Sequence, residues 1–156
     1  MHKLQCSEGE APYLGYRVNI FSVWGPDREA CKRLYAKLGD PQNVELDLAL
    51  YHHEDLLEKL KSYTLTINFK LHASCLSAAA SVPFISLGYR FKCIDFGLSA
   101  GLSDYVLSTG DPKLRAEILD RVVKIEKEAN TIREKFYTHQ NRYRELLKKP
   151  FYEELL

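Results

Sequence analysis

Apolar positions recur along this chain in two rhythms, one in short β-branched runs and one at helical spacing, and the switches between them mark its elements. Arg17 to Trp24 reads as a strand. Gly25-Pro26-Asp27 then supplies a turn and a helix start ahead of an amphipathic run from Arg28 to Leu38, which Gly39-Asp40-Pro41 ends. Val44 to Tyr51 suits a strand whose Glu45 and Asp47 mark a less buried face. His53 to Lys61 reads as a short helix with Leu56, Leu57 and Leu60 on one side. Thr64 to Phe69 reads as a strand and Lys70 to Ser81 as a small-residue helix, with Leu71, Cys75, Ala78 and Val82 expected to face the sheet. Pro83 to Tyr89, Phe91 to Gly101 and Tyr105 to Leu107 continue the alternation as strand, helix and strand.

Strands alternating with helices of about ten residues are the pattern of βαβ units, whose crossovers build a parallel sheet covered on both faces. The expected fold is therefore α/β, a three-layer Rossmann-like domain over residues 16–110 with a parallel sheet of about five strands. Residues 1–15 are polar, carry Gly9, Pro12 and Gly15, and are expected to be an irregular lead-in.

Past Gly110-Asp111-Pro112 the rhythm becomes purely helical. Leu114, Ile118, Val122, Ile125, Ala129, Ile132, Phe136 and Tyr143 lie three, four or seven residues apart within a highly charged stretch. Residues 111–156 are expected to form one long amphipathic helix, or two in succession, packing on the domain. Asp111 serves as N-cap, Pro112 lies in the first turn, and Pro150 is expected to stop the helix. Its basic end, Arg142, Arg144, Lys148 and Lys149, is interleaved with Glu145 and preceded by Glu126, Glu128 and Glu134, the pattern of a solvated, salt-bridged face.

Bulk properties narrow the function classes. With 156 residues and 46% hydrophobic content, the chain suits one main core. A formal charge of +1 gives no global field to draw in a nucleic acid or an anionic membrane, so any charge-based binding is local. The four cysteines, Cys6, Cys31, Cys75 and Cys93, show neither zinc-site nor redox-motif spacing, and no metal or cofactor is expected. They read as reduced thiols of a cytoplasmic protein. The sequence holds no signal-peptide core and no run approaching a membrane span.

The chemistry concentrates between Ile67 and Phe96, where two strands each end in a sharp turn into a helix. Open α/β sheets bind ligands at such strand ends. The helix beginning near Lys70 offers free backbone N–H groups and the positive end of its dipole, and Lys70 and His72 add donor side chains there, an arrangement suited to a phosphate or carboxylate. Asn68 at the strand end, Tyr89 and Lys92 at the next turn, and Trp24 and Arg28 at the first strand end complete a candidate substrate-binding set. The loop Ser22 to Asp27 lacks the Gly-x-Gly-x-x-Gly pattern of dinucleotide sites, and the chain has no P-loop, metalloprotease helix motif or Gly-x-Ser-x-Gly elbow.

A basic residue, a spacer and His72, then a small-residue helix, Val82-Pro83, an apolar strand, and Tyr89 followed three places later by Lys92 resemble the polysaccharide pyruvyl transferase family. In that family the motif is Arg-x-His, an Ala-rich helix, Gly-Val-Pro, a strand and Tyr-x-x-Lys. The likeness runs from about Leu65 to Leu102 as motif and from Tyr16 to Ser108 as element order. It implies the C-terminal half of a two-domain, GT-B type architecture with the active site in a cleft. It also implies transfer of pyruvate from phosphoenolpyruvate to paired sugar hydroxyls as a ketal, in the synthesis of cell-surface polysaccharide. His72 would be the acid or donor ligand and Lys70, in place of the family's arginine, the anion clamp, with Tyr89 and Lys92 near the same cleft. A partner domain or subunit would complete the cleft.

Two other readings stand beside it. One is a nucleotide-sugar glycosyltransferase half-domain, since related folds bind nucleotide phosphates at the same strand ends. The other is a non-catalytic assembly module that forms homo-oligomers through the long helix.

Overall fold

The structure of the protein, a computed structural model, describes residues 15–39 and 42–153. Apart from Gly15, the expected lead-in lies outside the described residues, as do Asp40 and Pro41 of the expected helix stop. The chain divides into two compact units, one ending at Leu50 and one beginning at Tyr51.

The first unit holds strand β1 (Val18–Phe21), helix α1 (Arg28–Lys37) and strand β2 (Val44–Asp47). β1 and β2 pair in parallel, with Val18 opposite Val44 and Phe21 opposite Asp47. A 3-10 turn over Gly25–Asp27 leads into α1, and Leu38 and Gly39 close it, the glycine at φ +70° in the left-handed region it tolerates. β2 is shorter than the expected Val44 to Tyr51. The Asp47 carboxylate accepts the Ala49 N–H at 2.8 Å, an Asx turn that takes the chain out of the strand. No described apolar residue of this unit is buried.

The second unit runs α2 (His53–Lys61), β3 (Thr66–Asn68), α3 (Leu71–Ala79), β4 (Phe84–Gly88), α4 (Phe91–Ser99), β5 (Val106–Ser108) and α5 (Leu114–Glu153). Its sheet has the order β3-β4-β5, all parallel. The fold class is thus α/β with parallel sheets and a long C-terminal helix. The single sheet of about five strands is not seen, because the five strands pair as one set of two and one of three. Hydrophobic rhythm marks each strand but carries no signal of which edges pair.

One face of the sheet is polar where it meets α3. Thr66 and Asn68 point to the same side, and Ser77 of α3 joins them. Its hydroxyl lies 2.8 Å from Thr66 Oγ1, and Asn68 Nδ2 donates to Thr66 Oγ1 at 3.0 Å and to Ser77 Oγ at 3.2 Å. The buried face of α3 is therefore Ser74 and Ser77, and the expected Leu71, Cys75 and Ala78 are half-buried. Small hydroxyl residues let the helix sit close to the strands, and hydrogen bonds compensate the burial of Ser77, while the Ser74 hydroxyl is buried with no hydrogen-bond partner among the described residues.

The apolar core gathers on β4. Phe84 is fully buried, its ring 6.2 Å from Phe96 of α4 and 5.3 Å from Phe136 of α5. Gly97 is needed on α4, since a Cβ there would come within 2.4 Å of Val106 Cγ2.

Helix α5 begins at Leu114, later than expected, and Asp111 Oδ1 accepts the Lys113 N–H at 2.7 Å in the turn that leads into it. It continues as one helix through Pro150 to Glu153, so Pro150 does not stop it. A proline forfeits one helical hydrogen bond and strains the turn before it, but its φ of about −65° is itself helical, so it does not forbid the turn that follows. Val122, Ile125, Ile132 and Phe136 are its buried stripe. Arg121 Nε reaches Asp104 O at 2.9 Å, Arg133 reaches Tyr63 O at 3.2 Å, and Gln140 reaches Ala79 O at 2.8 Å, so donors along the helix tie it to the 3-10 turn before β5, the loop after α2 and the end of α3. Among the described residues no helix is long and apolar enough to cross a membrane.

Two features make testable predictions. Ser81 follows α3 at φ +56°, a left-handed conformation that costs an L-residue about 1–2 kcal/mol. Ser81→Gly is expected to raise unfolding stability by about 1 kcal/mol, allowing for glycine's greater unfolded-state entropy, as read by urea denaturation. Burial pushes the Cys75 thiol and the Tyr105 phenol above their ordinary values of 9.0 and 10.0, with Glu128 and Asp104 adding to the effect on Tyr105. Groups raised in the folded state favour folding while protonated. Their contribution is full below those ordinary values and is lost as pH climbs through the raised ones. Stability measured from pH 7 upward should owe no loss to either group until pH reaches about 9, then fall; unchanged stability to pH 11 would contradict the assignment.

Candidate functional site

Helices α3 and α4 start at the C-terminal ends of neighbouring parallel strands, and the two starts are built alike. β3 ends at Asn68, Phe69 follows, and Lys70 is the N-cap of α3; β4 ends at Gly88, Tyr89 follows, and Arg90 is the N-cap of α4. Each N-cap residue has extended backbone, and neither supplies a side-chain cap. The first N–H groups of a helix have no intrahelical partner, and the aligned peptide dipoles leave positive potential there. Acidic side chains commonly occupy such positions. Neither first turn contains one. Instead His72 lies in the first turn of α3 and Lys92 in that of α4, both exposed.

The expected residues thus fall into separate groups. Lys70 and His72 sit at the start of α3, Tyr89 and Lys92 at the start of α4, on adjacent strand ends. Asn68 is buried, with its amide donors directed at Thr66 and Ser77, so it fixes α3 against β3 at the base of the site. Trp24 and Arg28 belong to the first unit. Trp24 is exposed and precedes the 3-10 turn, exchanging hydrogen bonds with the Ser22 hydroxyl. Arg28 opens α1, and its Nε is buried without a hydrogen-bond partner among the described residues.

Two residues that motif spacing did not single out lie at these helix starts, Arg90 within the anion site and Phe69 beside it. Phe69, half exposed, stacks on Tyr89 with ring centroids 4.5 Å apart and planes 10° from parallel. The guanidinium of Arg90 lies 5.4 Å from the Tyr89 ring centroid. A signal for Arg90 was present, since it occupies in its strand-turn-helix unit the place Lys70 occupies in the one before. The stack left none, because it depends on the pairing of β3 with β4 and on the turn that follows β4.

Chemically, the two helix starts converge donors and cations with no carboxylate in the first turns, which suits an anion carrying more than one charged group. Among the described residues no three His, Cys, Asp or Glu side chains converge to hold a metal ion. No known protein family, no curated protein and no solved structure matches the chain.

Proposed function

We propose that the second unit is the donor-binding domain of a pyruvyl transferase that takes phosphoenolpyruvate and builds a ketal on a sugar of a cell-surface polysaccharide. The observation that supports this most is the pair of adjacent helix starts, each with a basic N-cap, Lys70 and Arg90, and each free of acidic residues in its first turn. Phosphoenolpyruvate carries a carboxylate and a phosphate on one small carbon frame, and two neighbouring cationic helix starts match that two-pronged charge.

In the proposed reaction, the methylene carbon of phosphoenolpyruvate takes a proton, which leaves its neighbouring carbon electrophilic. A sugar hydroxyl attacks that carbon and loses its proton. The C–O bond to phosphate breaks, and a second hydroxyl closes the ketal. Of the two hydroxyl protons, one balances that delivered to the methylene and the other leaves with phosphate. His72 handles the proton at the methylene, while Lys70 and Lys92 stabilise the carboxylate and the departing phosphate. Lysine at position 70 is a point charge without arginine's planar fork, so the donor is gripped less rigidly than by the family's arginine. A partner domain or subunit completes the cleft over the donor.

The test is a titration followed in the 15N–1H spectrum. Phosphoenolpyruvate should shift the amides of residues 70–73 and 90–93 in a saturable way. Perturbation by uridine diphosphate with none by phosphoenolpyruvate would replace this reading by a nucleotide-sugar enzyme.

A further inference from the structure

The mouth of the second unit carries an aromatic surface that the donor site does not use. Phe69 is 51% exposed although one of its faces is stacked on Tyr89, so its ring remains open to a ligand. The stack is set by the backbone. Asn68 lies opposite Ser86 in the parallel register, which would put Phe69 level with Leu87 and leave Tyr89 two residues further on. The Tyr89 N–H instead donates to Leu87 O at 3.0 Å, a γ-type turn that folds Tyr89 back. Gly88 lies at its centre, where a Cβ would meet Val106 Cγ1 at 3.1 Å and Leu107 O at 3.4 Å. The platform is thus preorganised.

We propose that the Phe69–Tyr89 stack is the platform on which the pyranose ring of the acceptor sits, a proposal that rests on the donor reading above. The C–H-bearing face of a pyranose is apolar and weakly positive, and the face of an aromatic ring is negative, so the two pack flat with the sugar hydroxyls left at the edge. Phe69 directly precedes Lys70 in the chain. A ring on Phe69 therefore holds its hydroxyls beside the anion clamp, where attack on the donor requires them. A nucleobase would stack equally well, but its own phosphate is held a ribose away from the base.

The test uses the full chain in saturation-transfer NMR with four probes: methyl galactopyranoside, methyl glucopyranoside, methyl mannopyranoside and uridine monophosphate. Phosphoenolpyruvate is titrated separately. Phe69→Leu keeps apolar bulk at an exposed position while removing the ring, and a dispersed spectrum confirms that it folds. At least one glycoside should receive saturation from aromatic protons, and Phe69→Leu should weaken it about tenfold while phosphoenolpyruvate affinity changes by less than about twofold. The proposal fails if no glycoside binds, if Phe69→Leu binds glycosides as the parent does, or if only uridine monophosphate uses the ring. Glycoside binding that depends on Phe69, with no phosphoenolpyruvate binding, would keep the platform and remove the donor reading.

Discussion

Phe136→Ala is expected to cost about 3–5 kcal/mol of unfolding stability, the range for deleting a buried aromatic ring. Phe136 is 2% exposed and lies against Phe84, itself at 0% and in contact with Phe96, so the cavity would open at the junction of β4, α4 and α5. The surrounding packed side chains relax only partly into such a space. Domains are stable by only about 5–15 kcal/mol, so the variant should show a much lower urea midpoint and faster proteolysis within α5. Tyr137, the next residue along the helix, is 59% exposed and serves as control. Tyr137→Ala should stay within about 0.5 kcal/mol of the parent. Equal effects of the two substitutions would mean that the stripe of Val122, Ile125, Ile132 and Phe136 does not dock α5.

His72→Ala is expected to lower turnover of phosphoenolpyruvate by about 10²–10⁴-fold once a sugar acceptor and the domain that completes the cleft are supplied, the range for a positioned acid. His72 is exposed in the first turn of α3, so its loss removes no packing and stability should be unchanged. A step lost only in the transition state lowers kcat and kcat/KM together, whereas lost donor binding raises KM. Release of phosphate from phosphoenolpyruvate measures both. Near-parental kcat would take His72 out of the proton transfer and leave it, at most, a donor ligand.

Much of this arrangement was legible residue by residue. The helix expected over His53 to Lys61 has those bounds, because Leu56, Leu57 and Leu60 fix its buried side and its ends are polar. The starts of α3 and α4, with Lys70, His72, Tyr89 and Lys92, were legible because a strand followed by a turn and a helix is a local pattern. What could not be read was set by partners distant in the chain. The division into sheets of two and three strands depends on edge pairing, and the serine face of α3 depends on Thr66 and Asn68 waiting opposite. Apolar periodicity pointed to Leu71, Cys75 and Ala78 instead, since it cannot register a polar contact such as the one Ser77 makes with Thr66 and Asn68. Pro150 misled for the converse reason, a local stop signal that the helix runs past, since proline's φ is itself helical. The Phe69–Tyr89 stack needed both the strand register and the turn at Gly88.

The central claim is that the paired starts of α3 and α4 hold phosphoenolpyruvate. Calorimetric titration of the parent chain, Lys70→Ala and His72→Ala with phosphoenolpyruvate, and of the parent with inorganic phosphate and uridine diphosphate, tests it most directly. Saturable phosphoenolpyruvate binding is predicted, stronger than that of inorganic phosphate, weakened about tenfold or more by Lys70→Ala, the loss expected for a charge-assisted hydrogen bond, and less by His72→Ala, whose part is proton transfer. No heat of binding with phosphoenolpyruvate, or binding that neither substitution changes, would contradict it.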